Sequence, residues 1–125
     1  MKRTIVIILG AAVTAAAYVP AHASGWVAAL KNTPAEYFDA EDLRMFLESA
    51  GRTLDAQGPA VEASWSNPAT GANGRFKELK RSRDSHGHEC RRVQFWVSAR
   101  LASEQSAIWT ACRSADKRWQ LTSAR

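Results

Sequence analysis

The chain predicts an α+β fold: one N-terminal amphipathic helix packed on an antiparallel β-meander of four to five strands, closed by one disulfide. Three observations carry this expectation. Apolar residues from Leu43 to Leu54 recur at helical spacing, and from Val61 onward the period becomes two. Two cysteines, Cys90 and Cys112, are present in a chain that opens like an exported one.

Lys2 and Arg3 precede an apolar run from Ile5 to Val19, and Ala21-His22-Ala23 puts small residues where a leader is cut. Residues 1–23 are therefore expected to be a signal peptide, and residues 24–125 one domain. The run is shorter than the roughly 20 apolar residues that span a bilayer, and Pro20 ends it, so no transmembrane segment is expected after cleavage. No cysteine lies near the cut to carry a lipid. About a hundred residues suffice for one modest core and not for two.

Within the domain, Asn32-Thr33-Pro34 reads as a turn. Asp39 stands at a helix N-cap position, with Glu41 and Asp42 in the first turn, where carboxylates meet unpaired N–H groups and the positive end of the dipole. Leu43, Leu47, Ala50 and Leu54 then form one stripe, flanked by Ala40 and Phe46. Gly51 weakens the helix and Gly58-Pro59 stops it. Val61, Ala63 and Trp65 alternate with Glu62 and Ser64 as a first strand. A second short strand starts at Phe76, and its pattern fades into the charged run KELKRSRDSHGHE. The clearest strand is CRRVQFWVSARL: Val93, Phe95, Val97, Ala99 and Leu101 form its apolar face, while Cys90, Arg92, Gln94, Trp96 and Ser98 point the other way. SAIWTACR and RWQLT complete the set, joined by the short polar link SADK.

Formal net charge is +5, unevenly spread. Ser24 to Glu62 holds seven acids and three bases, and Ala63 to Arg125 five acids and twelve bases. In an exported protein such a basic half points to anionic envelope components or acidic proteins rather than to nucleic acid.

Three constellations bear on function. WSNPATGANG is rich in glycine, but no Lys-Ser/Thr follows Gly74 and no helix succeeds it, so it reads as a turn and not as a phosphate cradle. Asn67-Pro68 sets the bend, and Thr70-Gly71 and Asn73-Gly74 supply residues tolerant of positive φ. In HGHEC, extended backbone would put His86, His88 and Cys90 on one side as candidate metal ligands. Cys112 competes for Cys90, and Gly87 suits a loop tip, so no metal or other cofactor is expected. The third is the doublet Cys-Arg, at Cys90-Arg91 and Cys112-Arg113. A hairpin bending near Leu101 would set Cys90 opposite Cys112 and carry Arg92, Gln94 and Trp96 against Thr110, Ile108 and Ser106. Arg91 and Arg113 then lie side by side and call for an anion, either a carboxylate of the helix start (Asp39, Glu41 or Asp42) or a group on a ligand. The internal partner is preferred, because acids cluster in the helical half.

The ordered set Trp65, Asn67, Thr70-Gly71, Gly74, Cys90-Arg91, Ala111-Cys112-Arg113 and Trp119 resembles the C-terminal domain of bacterial surface antigens related to the rickettsial 17-kDa antigen. LKNTPAEYFDAEDLRMFLESA resembles the helical lead-in that many of them carry. The resemblance implies an exported envelope domain with a disulfide. Two features depart from it: the lipoprotein cysteine and glycine-rich segment of many relatives are not seen, and Lys117-Arg118 stands where relatives tend to carry Asp-Gly.

The expectation that follows is a non-catalytic envelope protein, periplasmic or associated with the outer membrane, since no Gly-x-Ser-x-Gly or His-Glu-x-x-His occurs. Its candidate anion-binding residues are Lys77, Lys80, Arg81, Arg83, Arg91, Arg92 and Arg113. The partner would be an envelope protein or an anionic component such as lipopolysaccharide or another anionic lipid. A small metal-binding or hydrolytic protein centred on His86, His88 and Glu89 is the alternative. A third reading is an inhibitor or chaperone-like module contacting a partner through Trp96 and Trp26, unless residues 26–38 cover Trp96.

Overall fold

The structure is a computed structural model and describes residues 23–124. The expected leader, Ala23 apart, lies outside the described residues. The elements are α1 (Ala23–Ala29), a 3₁₀ turn (Pro34–Tyr37), α2 (Ala40–Asp55), β1 (Glu62–Ser66), β2 (Asn73–Arg83), β3 (Glu89–Ala99), β4 (Ala102–Arg113) and β5 (Trp119–Ala124). The strands pair antiparallel in chain order, β1-β2-β3-β4-β5, so the expected meander has five strands.

α2 begins where its carboxylates predict. Asp39 Oδ1 accepts the Asp42 backbone N–H at 2.8 Å, and Asp42 Oδ2 accepts that of Asp39 at 3.0 Å, a reciprocal capping box. Glu41, Arg44, Glu48 and Arg52 form an exposed ladder of ion pairs at 2.6–2.9 Å, at i,i+3 and i,i+4 spacing, which solvent screens to a small contribution. The buried stripe is rotated from the expected one: Asp42, Phe46, Ser49, Ala50, Thr53 and Leu54 face the sheet, and Leu43 and Leu47 lie at its margin. Thr53 remains compatible with burial because its hydroxyl donates to the Ser49 carbonyl at 3.0 Å.

The helical layer covers one face of the sheet. α2 packs on β1 and β2, the 3₁₀ turn on β3 and β4, and α1 against β5. Phe46, fully buried, is the centre, its ring 4.9 Å from Phe76 and 5.6 Å from both Trp26 and Phe95. Edge-to-face geometry among these rings adds to the burial of their area. Trp26 is thus a core residue, 3 % exposed, and not a contact for a partner. Residues 26–38 lie on the helical face as well, with Phe38 5.2 Å from Trp65, so they do not cover Trp96.

β2 corrects the fading second strand. It runs unbroken to Arg83 because β3 offers partners as far as Glu89. Its register slips between Glu78 and Lys80, leaving Leu79 as the extra residue. The slip reverses the alternation: Gly74, Phe76 and Glu78 are buried before it, whereas beyond it Lys80 lies opposite Arg92 and Arg81 opposite Arg91. In β3 the expected alternation holds from Cys90 to Val97, but the strand ends at Ala99, and Leu101, expected on the apolar face, is 77 % exposed in the turn; Cys90 lies opposite Cys112, bonded to it with Cα atoms 4.1 Å apart. Arg92, Gln94 and Trp96 meet Thr110, Ile108 and Ser106 as expected.

Candidate functional site

The bases of the sheet divide between its two faces. On the helical side Arg91 is 1 % exposed, and its guanidinium donates to Glu78 Oε1 at 3.2 Å, to Glu89 Oε1 and to the Ala56 carbonyl at 3.0 Å. Arg81 pairs with Glu78 and reaches the carbonyls of Gln57 and Gly58. Arg113 lies 3.6 Å from Asp55 and 3.9 Å from Glu89, with its guanidinium carbon 5.4 Å from the centre of the Trp119 ring. Trp119 Nε1 in turn donates to Asp55 Oδ1 at 2.8 Å. The anion called for between Arg91 and Arg113 is therefore internal, but it is Glu89, aided by Glu78 and Asp55. The helix start is not involved: Asp42 instead accepts from Asn67 Nδ2 and Thr70 Oγ1, both at 2.7 Å. Arg91 is removed from the candidate anion-binding set because it is buried among carboxylates.

Two buried carboxylates, Glu78 and Asp42, are held in the charged form. Hydrogen bonding from Arg81 holds Glu78 below the usual carboxylate range, against its burial and with the help of Arg91. Burial pushes Asp42 upward, but bonds from Thr70, Asp39 and Asn67 outweigh it and leave that group lowered as well.

Among the described residues no helix covers the opposite face. At one end the Arg75 guanidinium stacks on Trp96, 3.9 Å from the ring centre, with Glu62 at 3.7 Å and Glu104 at 3.9 Å. The second cover that Trp96 requires is thus Arg75, from the neighbouring strand. At the other end Lys77 lies opposite Gln94, and Lys80 opposite Arg92, which itself lies opposite Thr110. Among the described residues none of Lys77, Lys80 and Arg92 has a carboxylate within ion-pair distance. Arg83 lies opposite Glu89 and donates to the Gly87 carbonyl at 2.9 Å.

His86 and His88 are in the turn between β2 and β3, not on extended backbone. Asp84 Oδ1 accepts both of their backbone N–H groups at 2.9 Å, His88 Nδ1 lies 3.1 Å from Asp84 Oδ2, and Gly87 takes φ 79°. Cys90 is bonded to Cys112, so the third ligand of the proposed set is consumed. The WSNPATGANG segment is a turn, as expected. Asn67 N–H donates to the Ala72 carbonyl, and Gly71 takes φ 79°. Gly74 serves a different purpose from the expected one: it lies within β2, where an added Cβ would be 2.6 Å from the Trp96 carbonyl oxygen and 2.7 Å from Trp65 Nε1.

Fold and site together define a disulfide-pinned α+β domain with one face closed by helices through buried ion pairs and the other open and basic. Residues 52–120 match the family of the 17 kDa outer membrane surface antigen, more than half of the 125-residue chain. The chain belongs to this family. The match starts in the last turn of α2 and takes in nearly all of the sheet, so the helical lead-in lies outside it. No curated protein and no solved structure matches the chain.

The slip at Leu79 and the burial of Glu78 escaped the sequence reading. A signal for the first was present: Glu78-Leu79-Lys80-Arg81 cannot keep one alternation and still send both Glu78 and Arg81 inward.

Proposed function

We propose that this is a non-catalytic binding domain of the cell envelope that attaches to an anionic envelope surface through the open face of its sheet. Membership of the outer membrane surface antigen family supports the location and the absence of an enzymatic role. One observation carries the choice of face: among the described residues Lys77, Lys80 and Arg92 on it have no carboxylate within ion-pair distance, whereas Arg81, Arg91 and Arg113 on the helical side are paired within the domain. Uncompensated charge of one sign on a flat surface attracts its opposite over about a Debye length.

Sedimentation with vesicles tests the reading. Binding is expected to phosphatidylglycerol vesicles at low salt, to weaken as salt rises, and to be absent from phosphatidylcholine vesicles. Association that ignores salt, or no association with the anionic vesicles, counts against it.

A further inference from the structure

We infer that Lys80 and Arg92, with Lys77 beside them, form a site for a phosphomonoester group displayed on a lipid surface. This rests on the anionic-surface reading and narrows it to one headgroup chemistry.

The strand register builds the site. Lys80, Arg92 and Thr110 form a row across β2, β3 and β4, and Lys77 and Gln94 form the neighbouring pair. Each of these five side chains supplies donors, and the carboxylate in register with them is Glu62 of β1, opposite Lys77 and beyond ion-pair distance of it. The slip at Leu79 is what creates the row, since without it Lys80 would share the buried side of Glu78.

Two directly opposed cations repel, their Cβ atoms being about 5 Å apart in an antiparallel pair. Elsewhere on the sheet such proximity is compensated: Glu78 and Glu89 neutralise Arg81, Arg91 and Arg113, and Glu62 and Glu104 flank Arg75. The acid nearest in the chain beyond the row, Asp84, is engaged in its own turn by His86 and His88. Among the described residues the Lys80–Arg92 pair has no carboxylate within ion-pair distance.

The charge count selects the ligand. A phosphomonoester carries about −1.5 to −2 charges at neutral pH and three terminal oxygens. It can accept the forked guanidinium of Arg92 and the ammonium of Lys80 together. A phosphodiester carries one negative charge and leaves one of the two opposed cations uncompensated. The form of the surface selects the source. Lys77 and Lys80 stand exposed on a sheet face that no described helix covers, which suits a headgroup projecting from a membrane rather than a small molecule that must be enclosed.

The test uses the full chain and three vesicle types: phosphatidylcholine alone, with phosphatidylglycerol, and with phosphatidic acid, the last two matched in surface charge. Affinity for the phosphatidic acid vesicles is expected to exceed that for phosphatidylglycerol by about fivefold or more, the gain of one charge-assisted contact. Lys80→Gln and Arg92→Gln should each bring it down to the phosphatidylglycerol level. Arg52→Gln removes the same charge from the exposed side of α2 and should leave the preference intact. Equal binding of wild-type protein to both anionic vesicles overturns the phosphomonoester site while leaving the anionic-surface reading standing. Loss of the preference in Arg52→Gln, or its survival in both row variants, overturns the site as well. Binding to neither anionic vesicle overturns both readings.

Discussion

At the scale of single residues, positions that looked like ligand-binding chemistry turn out to hold the domain together. Arg91 was a candidate for binding an anion and instead ties the sheet to the chain leaving α2, through Glu78 and the Ala56 carbonyl. Only burial distinguishes the two uses, and burial here follows from Arg91 sharing a face with Val93 and Phe95. Gly74 is required for space. Gly74→Ala is expected to destabilise the domain by about 1–3 kcal/mol, because the methyl meets backbone of β3 and the Trp65 indole, neither of which moves freely; chemical denaturation measures it. Lys117 is the reverse case. It holds φ 64° in the turn closed by the Lys117 N–H to the Ser114 carbonyl. Lys117→Gly should therefore raise stability by about 1 kcal/mol, the cost of a left-handed non-glycine residue, visible as a higher melting temperature.

Among the elements, the β3–β4 hairpin was the most legible, since the cysteines, the alternating apolar face and the exposed bend at Leu101 all demanded one register. The cystine spans a separation of 22 residues between strands already hydrogen-bonded to each other. Replacing both cysteines with serine is expected to lower stability by about 3 kcal/mol, mainly by freeing the unfolded chain. A melting temperature unchanged by that double substitution would remove the cystine from the list of structural supports. β2 was the least legible element. Its charged half has no apolar alternation to reveal a strand, and it remains extended because β3 pairs with it along its length. α1 was missed for a related reason: its seven residues form a helix by burying Trp26, Ala29 and the following Leu30 in a core assembled from distant segments.

For the molecule as a whole, buried carboxylates fasten both ends of α2 to the sheet. Asp42 holds its start to the β1–β2 turn, and Glu78 orients the arginines that bind the chain after its end. Both are lowered in the folded state, so they contribute stability that is present above the unfolded carboxylate range and lost as pH falls through their folded values. Thermal melts from pH 7 down to about pH 3 should show a steady midpoint and then a fall below the ordinary carboxylate range. A midpoint that rises or stays level on acidification would contradict this role. The sequence by itself determined the fold class, the helix cap, the cystine and the register of the central hairpin, because each depends on local periodicity or on two residues that must meet. Only the tertiary structure decided which bases are free. Whether an arginine meets a carboxylate or solvent depends on the face it occupies, and a one-residue slip at Leu79 reassigned the faces of everything after it in β2.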